Sequence, residues 1–248
     1  MAGKLTALGS NCYIGSNDVS GDIGAVTGLE SLLGTFNVTA LNASAMERIA
    51  GRTDGVMNFA AFFNDDAGQS HAAFSALPTT DIQASVVIGT PALGSPMASM
   101  TAKQIKYGLN VDNAGTLGVA IDMQANGHGL EWGEMLTAGK QSFATGTVNG
   151  SSINLGAAST LFGAAAYLHV FSVASGTAVF KVQDSANDTD FTDVASLTFT
   201  GATGATVERL QTGLADTIRQ YVRIQGSGTH GAAVVAVNFV RYTATGPS

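Results

Sequence analysis

Phe36-Asn-Val-Thr-Ala-Leu-Asn-Ala-Ser-Ala-Met-Glu-Arg-Ile-Ala-Gly-Arg-Thr-Asp-Gly-Val-Met-Asn-Phe-Ala-Ala-Phe-Phe-Asn-Asp65 carries two signals side by side. Its first residues alternate apolar with polar and predict a strand ending near Leu41. Asn42 and Ser44 are each suited to cap a short turn over residues 45–49, since their side-chain oxygens can accept from unpaired backbone N–H groups. Asp54-Gly55 then breaks the chain. Residues 56–63 predict a second strand, with Met57, Phe59, Ala61 and Phe63 on one face and Val56, Asn58, Ala60 and Phe62 on the other. Glu47, Arg48, Arg52 and Asp54 concentrate mixed charge in the connector. They read either as a solvated loop with weak ion pairs or as a contact between subunits in which complementary charge sets register. Two strands joined this way make a framework, not a reaction centre.

Before this stretch, residues 4–34 predict a short strand at 5–8 or 12–14 and then a Gly-rich run, read as a flexible arm or long loop. After it, residues 69–77 are the best helix candidate, with Asp65, Asp66 or Ser70 as caps and Pro78 as the stop. Strands are predicted at 82–88 and 99–107. Val111-Asp-Asn-Ala-Gly115 reads as a hairpin loop leading into the cleanest alternation of the chain. There Leu117, Val119, Ile121 and Met123 face a core, while Asp122 and Gln124 face water or solvent-filled space. Residues 128–140 form a junction holding Trp132, which anchors either a domain boundary or a subunit contact. Six further strands at 153–155, 166–173, 178–183, 195–200, 221–225 and 232–242 suggest a β-sandwich. Val207, Leu210, Leu214 and Ile218 fall at helical spacing and leave that segment ambiguous.

Charged residues make up 12% of the chain, about half the usual 25%, which suggests that much of the surface is hidden in an assembly. Thirty-one Gly against four Pro fits many short strands joined by tight turns. A net charge of −7 argues against gripping nucleic acid through its phosphates, which needs clustered Lys and Arg. Cys12 is the single cysteine, so a disulfide framework or a Cys-based zinc site within one chain is excluded. No secretory signal is expected at the N-terminus. The longest apolar run, 161–173, is too short to span a bilayer as a helix.

Motifs that suggest chemistry fail on context. Gly226-Ser-Gly-Thr-His-Gly231 fits the dinucleotide fingerprint, but a β-branched run follows where a helix is needed, so a hairpin turn is expected. Asp184, Asp188, Asp190 and Asp193 lack the glycine and terminal Glu of a calcium loop and fall between two strands, so a solvated hairpin loop is expected there. The four histidines are scattered, and His169 lies in an apolar strand as a satisfied core or interface imidazole. No catalytic, cofactor or metal residues are assigned.

The order Val38-Thr39, Leu41, small polar residues, Ala45, Glu47-Arg48, Ala50-Gly51, Asp54-Gly55, alternating aromatic strand and acidic turn resembles the major tail tube proteins of long-tailed bacteriophages. His71-Ala-Ala-Phe-Ser-Ala-Leu-Pro-Thr-Thr-Asp81 and Gln124-Ala-Asn-Gly-His-Gly-Leu-Glu-Trp-Gly133 are similar to segments of the actinobacteriophage branch. The likeness covers roughly residues 5–140. It implies a mostly β protein: an arm (1–35), a tail-tube-type β-barrel or sandwich with one short packed helix (36–138), and a C-terminal β-sandwich (139–248) on the tube exterior. It further implies a non-enzymatic virion protein, made in the host cytoplasm, whose homo-hexameric rings stack into a tube through which DNA passes without specific binding. Its partners would be other tail proteins, namely terminator, distal tail and tape measure, with no membrane and no cofactor. Glu47, Arg48, Arg52, Asp54 and Trp132 are the interface candidates, and Asp122 and Gln124 the lumen candidates. The alternatives are a surface decoration or glycan-binding virion protein, and a terminator-like component that stops at one ring.

Overall fold

Alternation decides nearly every element. In the computed structural model, which describes residues 6–156 and 159–243, the paired strands run antiparallel. The first half contains β1 (Asn11–Ile14), β2 (Asn17–Asp18), β3 (Ile23–Asn37), β4 (Arg48–Phe62), the helix α1 (Ser70–Phe74), β5 (Ile82–Val87), β6 (Pro96–Val111), β7 (Leu117–Ala125) and β8 (Glu131–Met135). The second half contains β9 (Gln141–Phe143), β10 (Val148–Asn149), β11 (Ile153–Asn154), β12 (Ala164–Val173), β13 (Val179–Ser185), β14 (Thr192–Thr198), β15 (Thr206–Gln211), β16 (Tyr221–Ser227) and β17 (Ala233–Arg241).

One sheet runs β15-β12-β17-β8-β6-β5-β1-β2 through both halves, and a smaller one has the order β10-β16-β13-β14. The two sheets enclose a core that includes Phe143, Leu168, Phe180, Phe199, Ile224 and Phe239, and this part is the β-sandwich. A second core, with Met57, Phe59, Phe74, Met100, Ile121 and Met123, fills the first half. Tyr13, Val87, Met97, Met135 and Ala236 pack between them. The fold is mostly β, as expected.

β6 organises the first half. Its residues 97–99 lie between β5 and β8, β5 pairing on to Ala102, and from Ala102 onward it pairs with β7, which continues through β4 to β3. The result is a four-stranded sheet, β3-β4-β7-β6. Val119, Ile121 and Met123 turn into the core, with Met57, Phe59 and Ala61 beside them on β4. Period-two alternation thus placed this face correctly.

Several expectations are corrected. Residues 23–37, read as part of an arm, form β3 and pair along the length of β4. The expected arm boundary at 35 therefore falls inside a strand. No helical turn forms at 45–49; β4 starts at Arg48 and continues unbroken through Asp54-Gly55. Gly55 serves close packing, not turning: a Cβ there would lie 2.5 Å from Leu130 N. The helix is shorter than expected, and none of Asp65, Asp66 and Ser70 caps it. Asp22, forty-eight positions away, accepts from Ser70 N at 2.8 Å instead. Val207 and Leu210 lie in β15, paired to β12. Asp184 is not in the solvated loop; it is buried at the end of β13, accepting from Arg219 N at 2.8 Å. The Gly-rich 226–231 segment joins β16 to β17, which lie in different sheets, so it is a crossover between sheets and not the expected hairpin turn, with Gly228 at φ +110°.

Candidate assembly surface

The four-stranded sheet has two open margins. β3 pairs only with β4, and residues 103–111 of β6 have β7 on one side and no described strand on the other. Such margins present unpaired N–H and C=O groups, the template for pairing with another chain.

Apolar side chains gather on the same sheet. Val26, Leu32, Leu33 and Phe36 on β3, and Ile105, Leu109 and Val111 on β6, are exposed. At the hairpin tip, Leu41 is fully exposed, joined by Val38, Met46 and Ile49. Scattered exposed hydrophobics need no explanation, but apolar patches gathered along open margins do. Sequence reading missed these residues because Gly24, Gly28 and Gly34 disguise β3 as a loop. The Leu29, Leu32, Leu33, Phe36 series was the signal available.

The face opposite the core carries Asp122 and Gln124, as expected. Lys106 Nζ lies 3.3 Å from Asp122 Oδ2, and Gln124 Nε2 donates to Asp54 Oδ2 at 2.8 Å. Asp54 therefore belongs with the two lumen candidates and not with a charged connector. Glu47 and Arg48 lie at the far end of the hairpin, where Glu47 N donates to Thr39 Oγ1 at 2.8 Å and Arg48 contacts Met46 Sδ at 3.3 Å. None of the described ion pairs joins Glu47, Arg48, Arg52 and Asp54 to one another. Trp132 lies on β8, the strand that links the two halves, apart from both open margins.

Two buried polar networks, invisible in sequence because their members are far apart, lock the halves together. In the first, Arg209 Nη2 donates to Glu131 Oε2 at 2.9 Å, Tyr242 OH donates to Glu131 Oε1 at 2.5 Å, and Tyr167 OH also donates to this carboxylate. Burial, with Glu131 adding to it, pushes both phenols upward.

In the second, the proton direction follows from the last acceptor. His169 Nδ1 stands 2.7 Å from the Gly15 carbonyl, which can only accept, so Nδ1 carries the proton. Nε2 then accepts from Ser85 Oγ at 2.8 Å, Ser85 Oγ accepts from Ser99 at 2.7 Å, and Ser99 accepts from Asn238 Nδ2 at 2.8 Å. Burial holds the imidazole down to about 4, with the Gly15 bond opposing. This serine–histidine pair is buried in the seam between the halves, and its hydrogen bonds tie β12 to β5 and to Gly15. Among the described residues, no group of three or more His, Cys, Asp or Glu could hold a metal ion. No described helix is long and apolar enough to cross a membrane.

No family model matches the chain. No curated protein matches it either. Among solved structures, it is similar to the SPP1 Dit (gp 19.1) protein, described as a paradigm of the hub adsorption apparatus in phages infecting Gram-positive hosts. The identity is 10% and the TM-score 0.34, over 94% of this chain and 99% of that one. It is also similar to a chain of the infectious bursal disease virus Gx strain, at 12% identity and TM-score 0.25, over 98% of this chain and 75% of the other. At these scores neither likeness bears on what this chain does.

Proposed function

We propose that this chain is a structural phage tail protein that closes into hexameric rings by joining the β3 margin of one copy to the free β6 margin of the next. Two different margins of one sheet make a heterologous contact, which closes into a ring when the rotation between copies permits. The observation carrying this reading is the sheet β3-β4-β7-β6, open at both ends and apolar along both open margins. Pairing would satisfy the unbonded backbone groups and bury side chains worth about 1.5–3 kcal/mol each when fully covered. The resemblance of residues 36–65 to tail tube proteins supports the same assembly.

The face bearing Asp54, Asp122 and Gln124 then lines the bore. Lys106 is paired with Asp122, which leaves Arg52, beside Asp54 and Gln124, as the cation of this wall outside the described ion pairs; one such group per copy gives a passing polyanion little counterion release. The hairpin tip, with Leu41, Met46 and Ile49 exposed, favours stacking of rings over a single terminator-like ring. Glu47 and Arg48 would lie in the contact between rings, the β-sandwich outside the tube, and terminator, distal tail and tape measure proteins at its ends or within it. Electron microscopy of the purified chain tests the proposal: stacked rings support it, single rings move it to the terminator reading, and dispersed monomers overturn it.

A further inference from the structure

We infer that the cleft around Trp132, Glu134 and Arg241 binds a neutral saccharide ring. Trp132 and Glu134 alternate onto one face of β8, where Pro96 of β6 stands opposite Glu134 on one side and Phe239 of β17 on the other. Arg241, two positions beyond Phe239, falls on the same face, and its Nη2 donates to the Leu155 carbonyl at 2.9 Å. These groups and Thr243 line a concavity of about 360 Å³, within the range of about 300–1,000 Å³ typical of small-molecule sites.

The lining chemistry selects the ligand. Trp132 is 47% exposed at the centre of a sheet, away from any open margin, and offers a flat apolar face to the C–H side of a pyranose. The Glu134 carboxylate is half-buried and engaged in no described hydrogen bond, and burial raises its pKa against the opposing pull of Arg241. Carboxylate and guanidinium in one cleft cancel as charges, and the Glu134 carboxylate, in no described hydrogen bond, stands as an acceptor beside the indole N–H and face of Trp132. That arrangement suits hydroxyl groups, which do both, and gives no advantage to an ion. Gly133 keeps the floor tight, since a Cβ there would lie 2.3 Å from Phe239 O.

Trp132 is the only tryptophan, so its emission reports this cleft alone. Titrating the full chain with neutral oligosaccharides of glucose, galactose, mannose and N-acetylglucosamine should give a saturable emission change for at least one of them. By calorimetry, Glu134→Gln should weaken that binding several-fold and Trp132→Ala by about ten-fold or more, with circular dichroism unchanged. Absence of any saturable change across the set would overturn the inference. So would binding that survives Trp132→Ala, or a sugar-independent emission shift that follows protein concentration, which assigns the indole to a contact between copies. The cleft does not depend on ring closure, so either idea can fail alone.

Discussion

His169 shows what one residue contributes to the rigidity of the molecule. It is enclosed between the halves, donates to Gly15 and accepts from Ser85, and is held neutral with a pKa near 4. The unfolded chain binds a proton at about 6.5, so between that value and 4 the unfolded state takes up the proton that the folded state refuses. This contribution is therefore complete above pH 6.5 and lost as pH falls toward 4, by about 3 kcal/mol in all. Urea unfolding at pH 7 and pH 4.5 should show that loss in the native chain and a smaller one in His169→Gln. Equal pH slopes for both would remove His169 from the account. Only one link of this chain was legible beforehand: an apolar strand holding a lone histidine predicts a satisfied imidazole. Its partners at 15, 85, 99 and 238 come from elements that meet only in the fold.

At the scale of elements, the Glu131–Arg209 pair ties β8 to β15, with Tyr167 of β12 and Tyr242 just after β17 completing it. Both charged side chains are below a tenth exposed, so Arg209→Met leaves a buried carboxylate uncompensated and should cost about 3–5 kcal/mol. Denaturant titration reads this directly; a loss under about 1 kcal/mol would mean that the pair is solvent-screened. The β3–β4 hairpin makes the opposite prediction. Leu41→Ser with Met46→Ser changes exposed side chains at the tip, so the unfolding free energy of the monomer should stay within about 0.5 kcal/mol of the parent. Sedimentation should show that the same pair of changes reduces assembly beyond a single ring. Normal stacking by the double variant would remove the tip from the contact.

These elements also mark where sequence reading succeeds and fails. Residues 56–63 and 117–123 were legible because period two needs no knowledge of partners. β3 was lost because Gly24, Gly28 and Gly34 imitate a loop. Gly28 in fact faces Asn58, whose Nδ2 would be 3.0 Å from a Cβ there. β15 was obscured because Val207 and Leu210 fall three apart by chance, and only pairing with β12 fixes their conformation. Asp54-Gly55 looked like a turn because the close approach of Leu130 is non-local.

For the whole molecule, a charge-poor chain of net charge −7 exposes apolar residues beside open strand margins and carries its β-sandwich on the same continuous sheet. Of the interface residues expected from charge alone, Glu47 and Arg48 fall at the hairpin tip and not on either margin, so the proposed closure rests on backbone pairing and apolar burial, with their charge left to set register between rings. The most direct test is negative-stain electron microscopy of the purified full chain across a concentration series. The account predicts six-subunit rings that stack into tubes as concentration rises. Monodisperse monomers at every concentration, with no rings at all, would contradict it.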